Sequence, residues 1–246
     1  MNNNSKINLF CVPSAGSSAS IFSAWDKTSA ENLKVIALEY PGHGRKIQQS
    51  LSHDPDFLAH QFSLEILAYG NTPYVLFVHS VGASLIWKIE EKLKLLHADH
   101  NLILKIVSAR PSPLFQNLIH NYSHLTDEQM IKELRLYNNF PDEILNNASA
   151  LNFFLPIIKN DFILSDNMLK KPIFKSSVPL MSVYGEADPY IKNHNIMESW
   201  STYTNKWLGA HQFSGDHFYF LDTTILQKML HLIQEKIYLL MKTTLV

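Results

Sequence analysis

The stretch LFVHSVGAS, residues 76–84, decides how this sequence is read. It runs as an apolar strand into Ser80, has Gly82 and Ala83 directly behind, and continues as the helical pattern SLIWKIEEKLKLL. The strand segment YVLFVHS is apolar on both faces, as a strand in the middle of a parallel sheet must be. Ser80 therefore stands on a strand-to-helix turn, where a serine either caps the helix or is presented as a nucleophile. The rest of the chain has to distinguish the two.

Similar short runs, rich in β-branched and aromatic residues, recur at INLFCVP, LKVIALEYPG, LILKIVSA, VPLMSVYG and KWLGAHQFSG. Helical patterns separate them, notably over 83–97 and in the amphipathic end 222–243. The alternation predicts an α/β fold with a mostly parallel, doubly wound sheet and one domain over residues 1–246. From Ser112 to about Lys171 the alternation stops, and only helical patterns appear (TDEQMIKELRLY, then PDEILNNASALNFFLPIIKNDFILSDNML). A helical insertion between two strands predicts a lid, over about 112–171, above the carboxyl edge of the sheet where open α/β sheets bind ligands, with an ordinary helical excursion as the alternative.

Composition narrows the function classes. A formal charge of −1 gives no global reason to expect nucleic acid or an anionic membrane as partner. No apolar run approaches the ~18 residues of a membrane span. The single cysteine, Cys11, lies in an apolar strand pattern and reads as core. The polar start MNNNSK is not followed by a signal-like apolar stretch, so a soluble cytoplasmic protein is expected.

A nucleophilic serine needs a base, a carboxylate that orients the base, and two N–H groups for the oxyanion. The usual turn is G-x-S-x-G with chain order Ser, Asp or Glu, His. Here the turn is VHSVG, with Val78 at the first glycine position. Downstream, VPLMSVYG is followed by EADPYI, which puts Asp188 in a loop at the carboxyl end of a strand, with Glu186 as the nearby rival. After the last strand comes FSGDHFYFL, which puts His217 on the loop before the final helix. Ser80, Asp188 and His217 are thus the candidate catalytic residues. His79 projects from the opposite strand face and is a poor base, and Asp216 is too close in sequence to bond the His217 ring. His43, in YPGHGRK, follows a strand at the carboxyl edge and could line the pocket. For the oxyanion, one N–H should be that of Val81, after the serine, and the other that of Ala15, in the loop CVPSAGSSASIF. Ser17 or Ser18 could also cap a helix there.

With these pieces together, the chain resembles the type II thioesterases that accompany nonribosomal peptide and polyketide synthases, members of the α/β-hydrolase superfamily. The resemblance rests on VPSAGSSASIF, YPGHGRK, VHSVGA, SARPSP, the LP with a later Asp in FLPIIKNDF, VPLMSVYGEAD and FSGDHFYF, in that order over most of the chain. It departs at Val78 and in a less arginine-rich PGHGRK. The resemblance implies hydrolysis of acyl thioesters carried on the phosphopantetheine arm of acyl or peptidyl carrier proteins, with no metal or organic cofactor. Apart from the resemblance, lid residues such as Phe140, Leu151, Phe154 and Leu155 are expected to line an acyl channel or pack the lid onto the sheet, most of them packing given their helical spacing. A small-ester carboxylesterase would use the same three residues, and a catalytically inactive hydrolase fold serving as a binding module would be favoured only by Val78.

Overall fold

Parallel strands require a long crossover between neighbours, and the sequence supplies one after each strand. A computed structural model describes residues 6–28, 32–118, 122–136, 142–169 and 173–243. Strands β1 (Ile7–Val12), β2 (Leu33–Ala37), β3 (Tyr74–His79), β4 (Leu102–Ser108), β5 (Leu180–Gly185) and β6 (Trp207–Phe213) form one sheet in the order β2-β1-β3-β4-β5-β6. Every pairing is parallel. Each strand coincides with one of the apolar runs, and β3 is central, paired with β1 on one side and β4 on the other.

The helices among the described residues are α1 (Trp25–Thr28), α2 (Pro55–Leu67), α3 (Ile86–Leu95), α4 (Asp127–Leu136), α5 (Asp142–Leu145), α6 (Ala148–Leu169), α7 (His194–Glu198) and α8 (Thr223–Thr243). They cover both faces. Phe10 and Val12 of β1 and Leu76 and Val78 of β3 pack with Phe62 of α2, Ile89 of α3 and Ile158 of α6. The alternate residues Leu9, Cys11, Val75 and Phe77 pack on the other face with Trp25, Met229 and Ile233. The strand period of two thus divides one buried run between two cores, which is why β1 and β3 do not read as amphipathic. Each fully buried Leu, Ile or Phe contributes about 2 kcal/mol of transfer free energy. Cys11 lies in this core as the sequence predicts, and burial pushes its thiol pKa up.

Local chemistry starts and anchors the helices. Asp54 caps α2, its Oδ1 accepting the N–H groups of Asp56 (2.9 Å) and Phe57 (3.3 Å), with Pro55 at the first helical position. Among the described residues the one fully buried lysine, Lys105 of β4, is neutralised by Glu90 of α3, which also accepts from Ser176. Between β4 and β5 the described chain forms α4, α5, α6 and short 3₁₀ turns and no strand, and α6 packs against the turn that begins at Ser80. Phe140, and residues 170–171 at the expected end of the lid, lie outside the described residues. Among the described residues no helix is long and apolar enough to cross a membrane.

Candidate active site

The turn after β3 does not use Ser80 as its cap, since His79 holds the capping position and Ser80 is the first residue of the turn. Ser80 has φ +52°, in the left-handed region that a non-glycine residue adopts only under local constraint, and a 3₁₀ turn over Ser80–Leu85 leads into α3. The close approach that forces this geometry falls at Gly82. A Cβ there would lie 2.6 Å from the Pro13 carbonyl oxygen and 2.9 Å from that of Val12, so the start of the helix rests on the end of β1. Val78 does not obstruct the turn; it is fully buried in the apolar cluster that holds Val12, Val81 and Val107.

Asp188 and His217 come from the ends of β5 and β6 and are brought back toward Ser80 by backbone contacts. A Cβ on Gly185 would lie 2.0 Å from the Asp216 carbonyl oxygen, so the loop after β6 lies directly on the end of β5. The N–H of Glu186 donates to Phe213 O (2.8 Å) and that of Ala187 to Gly215 O (2.9 Å), which zips the two loops together. His217 Nδ1 then lies 2.8 Å from Asp188 Oδ2, and Nε2 lies 2.9 Å from Ser80 Oγ. Asp188 Oδ1 accepts the Tyr190 N–H at 2.9 Å, so the carboxylate is held at both oxygens. Asp188 and His217 are 4% and 3% exposed, while Ser80 is half-buried. An Nδ1–H directed at Asp188 leaves the Nε2 lone pair facing the Ser80 hydroxyl, the arrangement a general base needs.

The rival residues lie elsewhere. Glu186 is exposed and accepts from Gln212 Nε2 at 3.4 Å. Asp216 accepts the Phe218 N–H with its own side chain. His79 faces the other core, its Nδ1 2.9 Å from Ser108 Oγ and its ring 5.0 Å from that of His217. Burial, followed by the neighbouring His217, holds the His79 pKa well below the usual imidazole range. The expectation that His43 could line the pocket is corrected: it is buried away from both cavities that meet at Ser80, because Asp161 of α6 draws its ring inward.

Two cavities open at Ser80. The larger, ≈ 180 Å³, is bounded by Ala15, Gly16, Ile21, Leu134, Phe154 and Phe162. The smaller, ≈ 30 Å³, lies toward Arg110, Tyr122 and Tyr190, with Phe162 as a wall common to both. Ala15 borders the larger and Val81 the smaller. As the second residue of a helical turn, Val81 has an N–H with no carbonyl to bond within the helix, and among the described residues no hydrogen bond takes up the Ala15 N–H. Both residues border the cavities that meet at Ser80. Ser18 caps the 3₁₀ turn Ala19–Phe22, as the cap reading of this loop expects. Of the foreseen lid residues, Phe154 lines the cavity, Leu155 is buried in the core and Leu151 packs against it. The Arg110, Tyr122, Phe162 and Tyr190 side chains were not foreseen at the pocket, although SARPSP carried a hint of Arg110.

A serine, histidine and carboxylate in hydrogen-bonded sequence can perform acyl transfer, and comparison with known proteins defines which kind. The family model for the thioesterase domain matches residues 7–236. The chain belongs to the thioesterase family. It is similar to the gramicidin S biosynthesis protein GrsT of Aneurinibacillus migulanus, with 25% identity over 91% of this chain and 86% of that protein. It is 26% identical to the thioesterase PikA5 of Streptomyces venezuelae over 89% of this chain and 77% of the other. The solved structure of BorB, a type II thioesterase from the borrelidin biosynthetic cluster, superposes with a TM-score of 0.79 at 27% identity, covering 94% and 92% of the two chains. This thioesterase is therefore a hydrolase of thioesters on the α/β-hydrolase fold, and the type II resemblance found in its sequence holds.

Proposed function

We propose that this chain is a serine thioesterase that removes acyl groups from the phosphopantetheine arm of carrier proteins, in editing or release during nonribosomal peptide or polyketide synthesis. The observation that carries the reading is the Ser80–His217–Asp188 hydrogen-bonded series at the junction of the two cavities in a chain of the thioesterase family. In this reading Ser80 Oγ attacks the thioester carbonyl while its proton passes to His217 Nε2. Asp188 stabilises the imidazolium. The Val81 and Ala15 N–H groups hold the oxyanion, each contributing about 3 kcal/mol to the transition state. Collapse expels the pantetheine sulfur, which takes the proton from His217. Water then attacks the acyl-serine with His217 again as base, and the free acid leaves. Residues 112–171 serve as the lid within a single domain, α6 closing one wall of the acyl site.

Carrier proteins loaded with defined acyl groups and followed by intact mass test the proposal. The wild type should return the carrier to its free-thiol mass, faster than it cleaves small esters of the same acid, and Ser80→Ala should leave the loaded mass unchanged. Turnover of small esters with no release from any carrier would overturn the carrier-bound substrate in favour of the carboxylesterase reading.

A further inference from the structure

His43 and Asp161 form a second buried histidine–carboxylate pair at the same sheet edge, 3% and 2% exposed. Asp161 Oδ2 lies 2.9 Å from His43 Nε2 and accepts the Gly16 N–H at 2.8 Å. On the far side of the ring, His43 Nδ1 lies 3.0 Å from the Pro41 carbonyl oxygen. A carbonyl oxygen only accepts, so Nδ1 must carry a proton. A second proton must then lie between Nε2 and Oδ2, or two lone pairs would face each other. An aspartate is the stronger acid, by about 2.6 pKa units between the ordinary values. Both Asp161 oxygens also face donors here, Oδ2 the N–H of Gly16 and Oδ1 the Nδ2 of Asn160 at 3.3 Å. The proton therefore rests on the ring, and the pair is an imidazolium and a carboxylate.

Its position matters because of what Gly16 adjoins. Gly16 has φ +69°, and a Cβ on it would lie 2.7 Å from Ile158 Cγ1 of α6, so this loop backbone is pressed directly onto the helix. The residue before it is Ala15. Farther along, the loop is pinned to a second buried carboxylate, Glu39, whose Oε1 accepts the Ala19 N–H at 2.8 Å. We propose that charged His43 and Asp161 are positioning residues: the protonated ring holds the carboxylate against the Gly16 N–H, and so couples the seating of α6 over the pocket to the placement of the Ala15 N–H. This rests on the proposed reading in which Ser80 is the nucleophile and Ala15 an oxyanion donor.

The charged and titratable groups around the ring are Asp161 from α6, Glu39 and Tyr40 from the end of β2, Arg110 acting on Tyr40, and His53, which is bonded to Asn160. Burial works against the charge most strongly, but the Asp161 hydrogen bond and charge, the Pro41 carbonyl and Glu39 outweigh it and raise the His43 pKa above 6.5. With a raised pKa the clasp is intact below the ordinary histidine value and opens as pH rises through the raised one.

The test measures kcat and KM against pH on an acyl-pantetheine thioester, corrected for uncatalysed hydrolysis, together with ¹⁵N spectra of the histidine rings. In the wild type, kcat should descend on the alkaline side, and His43 should show two protonated ring nitrogens at pH 6. His43→Gln keeps an N–H toward Asp161 at every pH, so it should retain kcat within about fivefold at pH 7 and lose the alkaline descent. Asp161→Asn should lower kcat by about 100-fold, the scale of one oxyanion donor, with KM within about threefold. A neutral His43 ring at pH 6, an alkaline limb unchanged in His43→Gln, or a wild-type kcat in Asp161→Asn overturns the clasp. Turnover surviving in Ser80→Ala would instead overturn the functional reading on which it rests.

Discussion

Two histidine–aspartate pairs, His217 with Asp188 and His43 with Asp161, sit at one sheet edge with nearly identical separations, 2.8 and 2.9 Å. They differ in what meets the other ring nitrogen. For His217 it is the Ser80 hydroxyl, which can donate or accept, so the ring can gain and lose a proton during a reaction. For His43 it is the Pro41 carbonyl, which can only accept, so the ring is held charged. His79 completes the series: equally buried and without a carboxylate, it bonds only the Ser108 hydroxyl and is kept neutral. Burial and a nearby aspartate do not make a general base; the partner at the far nitrogen does.

The sharpest way to break this contrast is to remove the proton acceptor. Ser80→Ala and His217→Ala should each lower kcat by about 10⁵-fold or more, and the double variant should lose little beyond either single one, because the two act as a unit. Steady-state rates on one thioester suffice, and additive losses would separate the two residues into different roles. A smaller loss, of about 10³ to 10⁴, is expected for Asp188→Asn with the fold intact, since the amide favours the wrong tautomer of His217. Glu186→Gln should stay within about twofold of the wild type, and the reverse ranking would move the orienting carboxylate to Glu186. Smallest in activity is Val78→Gly, which touches neither pair. Turnover should remain within about tenfold, or ~1.4 kcal/mol in barrier, while denaturant unfolding should show a stability loss of about 2–4 kcal/mol from the emptied core.

Much of this was legible in the residues. The strands stand out as runs rich in β-branched and aromatic residues, most of them buried on both faces, so all six appear where INLFCVP and its counterparts placed them. Ser80, Asp188 and His217 follow from chain order, because in a parallel sheet every strand delivers its following loop to the same edge. The Ala-Gly-Ser loop announced itself by small residues. What could not be read is contact across distance. His43 and Asp161 are separated by 118 positions, and neither helical nor strand periodicity reports such a pairing. Phe162 and Tyr122 look like any aromatic residues at helical spacing, since the pattern does not distinguish a face that packs from one that borders a void. The turn was legible as well: the tight contact with β1 falls at Gly82, directly behind Ser80, while Val78 is housed in the core without obstructing it.

The left-handed backbone of Ser80 carries a consequence for how such a protein drifts over evolutionary time. A non-glycine residue in that region costs about 1–2 kcal/mol, and glycine would relieve it. The substitution that most readily relaxes this turn is therefore one that deletes the hydroxyl, so thermal stability and catalysis pull in opposite directions at a single codon. A screen that selected variants of this chain for heat resistance alone would enrich inactive ones at position 80, and Ala109, at φ +51° on the neighbouring strand end beside the smaller cavity, offers the same relief with the nucleophile left in place.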